Sequence, residues 1–353
     1  MAKRVVLGMS GGVDSSVAVH LLQEEGYEVI GVHMRLIETT AEASEDARLV
    51  AERFQIPFHV LDLRQEFRQT IIEDFIKAYR TGLTPNPCVR CNQQIKFGHL
   101  AEFAQTLGAE FLATGHYAKI EQAPDGSAYL KRGEDASKDQ SYFLCQIDRR
   151  MLARIVFPLG GMTKEETRRI ADELGLKVAQ KPDSQEICFV PNNDYKQFLL
   201  ETLGLKRFQP GDFLDMNGQK IGRHQGIPCY TIGQRKGLGV ALGYPAYVTA
   251  IDAQKGTVTI GRQEDLLHDH LSADELNWLT DLPEGQPIAV QAKIRYRAQA
   301  EPAVLTIREG KAVAAFAKPQ RAITPGQVVC FYDDDRVLGG GRILKAWSAD
   351  SSH

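Results

Sequence analysis

This chain has no apolar run approaching the ~20 residues that a bilayer crossing requires. It also lacks a charge excess: 42 Lys and Arg stand against 45 Asp and Glu, a net charge of -3. Bulk electrostatics therefore announce no nucleic acid, and a polyanion would have to meet a local basic patch. Cysteine is scarce, six in 353 residues. That excludes a disulfide scaffold and leaves core positions, reactive thiols and metal ligands. The first apolar stretch begins within a few residues of Met1, leaving no room for a secretory leader, and a cytoplasmic location is expected. Repeats and low-complexity tracts are absent. What remains has an ordinary globular composition, 43% hydrophobic and 25% charged, with length for two or three domains.

Two familiar phosphate-binding signatures are missing as well. No Gly-Lys-Ser/Thr closes a mononucleotide loop, and no GxGxxG follows the first strand. In their place stands GMSGGVDSS, residues 8–16, between an apolar run at 5–7 that reads as a buried strand and one at 17–22 that reads as a helix. A chain that turns on Gly11 and Gly12 into a helix presents backbone N–H groups to an anion. Ser10, Ser15 and Ser16 add hydroxyls, so phosphate or pyrophosphate is the natural guest. Asp14 is placed either to bind Mg²⁺ on the pyrophosphate or to cap the helix. The pattern resembles the pyrophosphate-loop ATPases, which split ATP to AMP and pyrophosphate while adenylating an oxygen of their substrate.

Apolar strands at 28–34, 58–61 and 111–114 alternate with helical patterns at 42–54, 67–79 and 95–107. This order predicts a mostly parallel, Rossmann-like α/β sheet with ligands beyond the carboxyl ends of its strands, where Met34, Gly115 and His116 fall. Residues 81–92 read as a turn-rich loop. A hairpin is expected between 117 and 130, then helices at 139–146, 163–174 (with Thr163 and Glu166 as a capping box) and 193–203. From Phe208 onward Gly and Pro become dense and alternation replaces helical spacing. The expected domains are 1–205, an α/β nucleotide-binding unit; 206–270, a small β-rich unit; and, after a linker near 268–272, 271–347, a β-barrel.

Two further stretches carry chemistry. In TPNPCVRCN, residues 84–92, Cys88 and Cys91 form a CxxC, which alone reads as a redox pair, a metal site or an accident. In DSQEICFV, residues 183–190, Cys188 sits among polar and acidic neighbours. Asp183 is a weak candidate for positioning a thiol or metal. Cys145, Cys229 and Cys330 lie in apolar stretches and read as core.

Taken in order, GMSGGVDSS, TPNPCVRCNQQIKFG, ATGHYA, KDQSYFL, DSQEICFV and GQRKGLG resemble the tRNA-uridine 2-sulfurtransferases over nearly the whole chain. The resemblance implies ATP and Mg²⁺ as cofactors, with Gly8, Met9, Ser10, Gly11, Gly12, Val13, Asp14 and Ser15 on the phosphates and Met34 and Gly115 at the nucleotide's other side. It implies adenylation of the 2-oxygen of the wobble uridine in the anticodon arm of tRNAs for Lys, Glu and Gln, followed by sulfur attack. In the family's usual scheme the position matching Cys188 carries a persulfide supplied by a cysteine desulfurase or relay protein. Cys91 then releases the sulfur, and the cycle ends in a Cys91–Cys188 disulfide. The commonest form of the family has Asp where this chain has Cys88. A subset with Cys at this position implies instead a 4Fe–4S cluster on Cys88, Cys91 and Cys188 whose open iron accepts hydrosulfide.

By the same resemblance Asn86, Pro87 and Cys88 face the target base. His116, Lys138, Asp139, Gln140, Arg295, Tyr296 and Gln327 contact tRNA, and the loop from Gln234 to Gly237 leans on the tRNA or orders the site. Arg295, Tyr296 and Arg297 pair cations with a ring, as unstacked anticodon bases require. An amidating synthetase of the same superfamily would need an ammonia source, and no glutaminase segment is visible. An ATP-responsive, non-catalytic tRNA or sulfur carrier would leave the loop and the thiols without a task.

Overall fold

The structure, a computed structural model, describes residues 3–38, 41–176 and 186–349; the expectation for Asp183 lies outside them. Its first unit is a five-stranded parallel sheet in the order β3-β2-β1-β4-β7, from β1 (Arg4–Gly8), β2 (Glu28–Arg35), β3 (Phe58–Asp62), β4 (Phe111–Thr114) and β7 (Ile155–Val156). Val5, Val6 and Leu7 are wholly buried because a central parallel strand is covered on both faces. Val5 and Leu7 pack with Val19, Leu22 and Val50, from α1 (Val13–Glu24) and α2 (Ala41–Arg53). Val6, pointing the other way, packs with Leu100 and Ala104 of a long helix on the opposite face.

That long helix departs from the expected loop at 81–92. Helix α4 (87–106) follows α3 (64–80) and begins at Pro87. Asn86 caps it, its side-chain oxygen accepting from the Val89 N–H at 3.4 Å, and Pro87 takes the first turn, where its missing N–H costs nothing. The residues that read as turn formers are the ones that start a helix. Its middle, Asn92–His99, is π-helical, a distortion found mostly at functional sites. Cys88 and Cys91 therefore ride on a helix. The helix expected at 139–146 shrinks to a single 3₁₀ turn, Ser141–Leu144, because Asp139 accepts from the N–H groups of Gly133 and Ser141 and holds a tight turn. The capping box of α5 (Lys164–Glu173) is present as expected, and α6 (Tyr195–Thr202) closes the first half.

Strands β8 (Gly211–Leu214), β9 (Lys220–His224), β10 (Tyr247–Asp252) and β11 (Thr257–Gly261) form a small sheet in the order β10-β11-β8-β9. The last six strands are β12 (Leu267–Trp278), β13 (Ile288–Lys293), β14 (Glu301–Arg308), β15 (Lys311–Arg321), β16 (Val328–Asp333) and β17 (Arg336–Trp347). They run β12-β15-β14-β13-β16-β17, and β12 pairs back to β17, which closes a barrel. The expected linker at 268–272 is thus barrel strand. The hairpin of β5 (Ala118–Gln122) and β6 (Ala128–Arg132) reaches β17 at Arg336 and joins the α/β half to the barrel. Cys145, Cys229 and Cys330 are buried core, as expected. No helix among the described residues is long and apolar enough to cross a membrane.

Candidate active site

The phosphate loop lies at the carboxyl edge of the sheet. Gly11 has φ +76°, and a Cβ there would come within 2.4 Å of the Ala43 carbonyl oxygen, so both backbone and space demand glycine. Ser15 Oγ accepts from the Ser10 N–H at 3.2 Å and donates to the Gly12 carbonyl at 3.2 Å, which holds the turn in shape. No side chain caps α1, whose N-cap is Gly12, so the helix N-terminus keeps donors for an anion. Gly115 packs against the loop: a Cβ would meet Asp14 and the Ser15 nitrogen at 3.1 Å. Met34 approaches Gly8 beside it.

Asp14 does not cap the helix. Its oxygens accept from buried Lys164 at 2.7 and 2.8 Å, and the Tyr117 hydroxyl donates to it at 2.9 Å. The loop's carboxylate is therefore paired with a cation of the protein itself. Lys164 and Tyr117 were not singled out in the sequence; nothing in a distant helix marks it as the loop's counter-ion.

The three thiols come together. All six cysteines are free. Cys88 and Cys188 reach solvent and Cys91 is half-buried, yet the protein around them is dense enough that burial raises each thiol above the ordinary range, Cys91 to about 12. The charge of Lys96 opposes burial at all three, and Cys88 and Cys188 each act on Cys91. Among the described residues no three His, Cys, Asp or Glu stand at metal-binding spacing.

His116 is buried between Phe97 and Phe157, with ring centroids 6.1 and 5.8 Å away. Lys96 donates to its Nε2 at 3.5 Å. That assigns the ring proton to Nδ1, which donates to Thr114 Oγ1 at 2.6 Å. Burial and then the Lys96 charge push the imidazole far below its ordinary value, so it is neutral. Lys96 was missed although it lies inside the quoted TPNPCVRCNQQIKFG stretch. With 81–92 taken as a loop, it appeared to belong to a separate element.

A second cluster adjoins the first. Tyr296 packs on Phe143 with centroids 4.4 Å apart, and Lys293 Nζ lies 5.5 Å from the Tyr296 ring and 5.8 Å from that of Tyr142. Asp139, Lys138 and Arg297 all act on the Tyr296 hydroxyl, so two segments far apart in sequence share one face. Asp139 and Gln140 themselves turn inward, Gln140 accepting from the Tyr117 N–H at 3.1 Å. Arg295 is half-buried and opens a turn, its carbonyl accepting from the Ala298 N–H. Tyr142 donates to the Val328 carbonyl at 2.8 Å and also meets the Asn86 side chain, which links this face to the start of α4. Gln327 points at the segment just ahead of α4: its amide donates to the carbonyls of Thr84 and Pro85 at 2.9 and 3.1 Å. From the small β unit, Thr231, three residues before the Gln234 loop, accepts from the Thr84 hydroxyl at 3.3 Å.

A parallel α/β sheet with a glycine loop at its edge, followed by two small β units, defines a three-unit nucleotide-binding protein of the HUP class. Residues 3–192 match the family described as tRNA methyl transferase HUP domain, 196–262 its PRC-barrel domain, and 268–343 an aminomethyltransferase beta-barrel domain. Full-length relatives named tRNA-specific 2-thiouridylase MnmA are similar to it. That of Heliobacterium modesticaldum is 50% identical, covering 98% of this chain and 93% of the relative; that of Geotalea uraniireducens is 48% identical, covering 98% and 96%. The chain belongs to the tRNA-specific 2-thiouridylase family. Among solved structures, an NH3-dependent NAD synthetase from Campylobacter jejuni aligns over 50% of this chain and 66% of its own, with a TM-score of 0.31 and 17% identity.

Proposed function

We propose that this protein is an ATP-dependent, cytoplasmic tRNA-uridine 2-sulfurtransferase acting on the wobble uridine of tRNAs for Lys, Glu and Gln. The observation that carries this reading is the meeting of three free thiols beside Lys96, which is bonded to His116, the residue next to the Gly115 that packs on the phosphate loop. The family relatives and the cation–aromatic face around Tyr296 support tRNA as the partner.

The loop N–H groups and the α1 N-terminus hold the phosphates of ATP, with Mg²⁺ arriving on the nucleotide's own oxygens. Uridine O2 attacks the α-phosphorus, pyrophosphate leaves, and N3 gives up its proton. A carbonyl oxygen leaves poorly; as part of AMP it leaves well. A persulfide on Cys188 supplies sulfur to C2, the C2–O bond breaks, and AMP departs with that electron pair. Cys91 then attacks the Cys188 sulfur, releasing the thiolated base and forming a Cys91–Cys188 disulfide. A sulfur-relay protein fed by a cysteine desulfurase would load Cys188.

Cys88 favours a second source of sulfur. Cys88, Cys91 and Cys188 fit a 4Fe–4S cluster in their donor set, three free thiols in one neighbourhood, though they would have to draw closer to hold it. Such a cluster, held by these three cysteines, would offer an open iron site for inorganic sulfide in place of the persulfide.

Protein incubated with ATP, unmodified tRNA and sulfide should release AMP only when tRNA is present and should yield 2-thiouridine by mass spectrometry of the nucleosides. AMP formed with a small acid in place of tRNA would sink the reading in favour of a synthetase, and tRNA binding without turnover in favour of a carrier. Iron and acid-labile sulfide after anaerobic reconstitution separate the sulfur sources. About four irons per chain, lost in Cys88→Ala, mean the cluster; none in either means the persulfide.

A further inference from the structure

Lys96 has no task in the steps above. It stands on the π-helical part of α4, five residues past Cys91, and its ammonium acts on Cys88, Cys91 and Cys188 together. On its other side it donates to His116 Nε2 at 3.5 Å. That ring is wedged between Phe97 and Phe157 and tied to Thr114, so it forms a fixed stop for the lysine. Thr114 and His116 flank Gly115, which touches the phosphate loop at Asp14 and Ser15. The ammonium thus lies where the loop, which takes the phosphates, meets the thiols, which pass the sulfur. Lys164, the buried lysine that reaches the loop from α5, is neutralised by Asp14. Lys96 has no carboxylate within ion-pair distance among the described residues, and its one close partner there is a neutral imidazole. A half-buried cation without a counter-ion among the described residues, at the joint between phosphate and thiols, suits a substrate that brings negative charge.

Resting on the sulfurtransferase reading, we propose that Lys96 is a catalytic residue that binds the phosphate joining AMP to the uridine 2-oxygen and stabilises the charge that develops there as AMP leaves. The charge that develops in the step gives such a group its task. In the adenylated uridine the phosphate is a diester with one negative charge. With hydrosulfide as the sulfur source, the C2–S bond forms, the C2–O bond breaks, and its electron pair stays on the oxygen. AMP departs as a monoester with two charges, and the proton of the hydrosulfide ends on N3. Lys96 transfers no proton and meets the added charge with a fixed cation. Donors placed where charge develops are worth about 10²–10³-fold in rate.

The test is a single-turnover assay on full-length protein with ATP, Mg²⁺, unmodified tRNA and excess sulfide, comparing the parent with Lys96→Met and Lys96→Arg. Lys96→Met should bind ATP and tRNA within about twofold of the parent, accumulate adenylated tRNA, and release AMP about 100-fold more slowly. Lys96→Arg, which keeps the charge, should recover about tenfold of that loss. Iodoacetamide labelling of Cys88, Cys91 and Cys188 tests the other use of the cation, keeping thiols ionised. If Lys96→Met slows their alkylation by as much as it slows AMP release, the lysine serves the thiols and the proposal is overturned. Turnover within about threefold of the parent at neutral pH, or slowing matched by an equal loss of tRNA affinity, overturns it as well. A parent that forms no AMP with tRNA sinks the sulfurtransferase reading itself. Should Lys96→Met fail to fold by circular dichroism, Lys96→Gln, neutral but polar, takes its place.

Discussion

At Cys91, burial and charge pull one thiol in opposite directions, and burial dominates. The thiol is pushed up to about 12 although Lys96 lowers it. Only the thiolate reacts, so in reduced, metal-free protein its alkylation should rise about tenfold per pH unit from neutral pH to about 10, without the plateau near 8.5 of a free cysteine. Mass-resolved labelling with iodoacetamide measures this, and a plateau below about pH 9 would show that Lys96 outweighs burial. His116 gives the opposite sign at acid pH. Its folded form is held neutral, whereas in the unfolded chain it binds a proton below about 6.5. The unfolded state is then the one that gains protons, so the stability His116 contributes is whole above that pH and declines as the pH falls through and below it. Urea unfolding midpoints between pH 5 and 7 should show a shallower slope in His116→Gln than in the parent; equal slopes would place the titration elsewhere. Neither effect was legible in the residue types, because both come from what packs around them.

Between α3 and the first turn of α4, three units meet on a few residues. The Thr84 N–H donates to the Pro325 carbonyl, Gln327 donates to the Thr84 and Pro85 carbonyls, and Thr84 reaches Thr231. A Cβ on Gly326 would come within 2.8 Å of the Thr84 nitrogen, so the barrel presses directly on the segment that aims Asn86, Pro87 and Cys88. If Gln327 acts through this tether, Gln327→Ala should cost about 1–2 kcal/mol of stability and lower kcat while the Kd for tRNA stays near the parent's. A loss of tRNA affinity with kcat intact would instead make it a direct RNA contact. The capping box is a simpler case: Thr163→Ala should cost about 1 kcal/mol, read as a shift in the urea midpoint. That box was legible from Thr163 and Glu166 alone. The start of α4 was not, since Asn86 and Pro87 serve a turn and a helix start equally well, and the choice rests on Val89 and Ile95 finding the core.

On the scale of the whole chain, strand–helix alternation was enough to expect the parallel sheet, and with it the edge where Gly8, Met34 and Gly115 gather. The barrel was expected as well, but not that the supposed linker at 268–272 is its first strand: β12 is polar along much of its length and owes its place to partners on both sides, β15 and β17. The same long-range assembly builds the face around Tyr296, which draws Lys138 from the α/β half and Lys293 and Arg297 from the barrel. With a net charge of -3, overall attraction cannot hold tRNA, so affinity has to come from local basic patches, of which this cluster is one candidate. Each cation that neutralises a phosphate releases counter-ions and steepens the fall of affinity with salt by about 0.7–0.9 in the log–log slope. Arg297, exposed at the rim, is the residue best placed to do so without supporting the core. Arg297→Ala should therefore weaken tRNA binding at low salt and reduce the slope by about one, leaving kcat at saturating tRNA unchanged. Lys293 lies half-buried over two rings, so Lys293→Ala should cost affinity at every salt concentration, because stacking support is lost together with charge. Filter binding across a salt series separates the two. Equal slopes for Arg297→Ala and the parent would mean that the phosphates run over another face of the molecule.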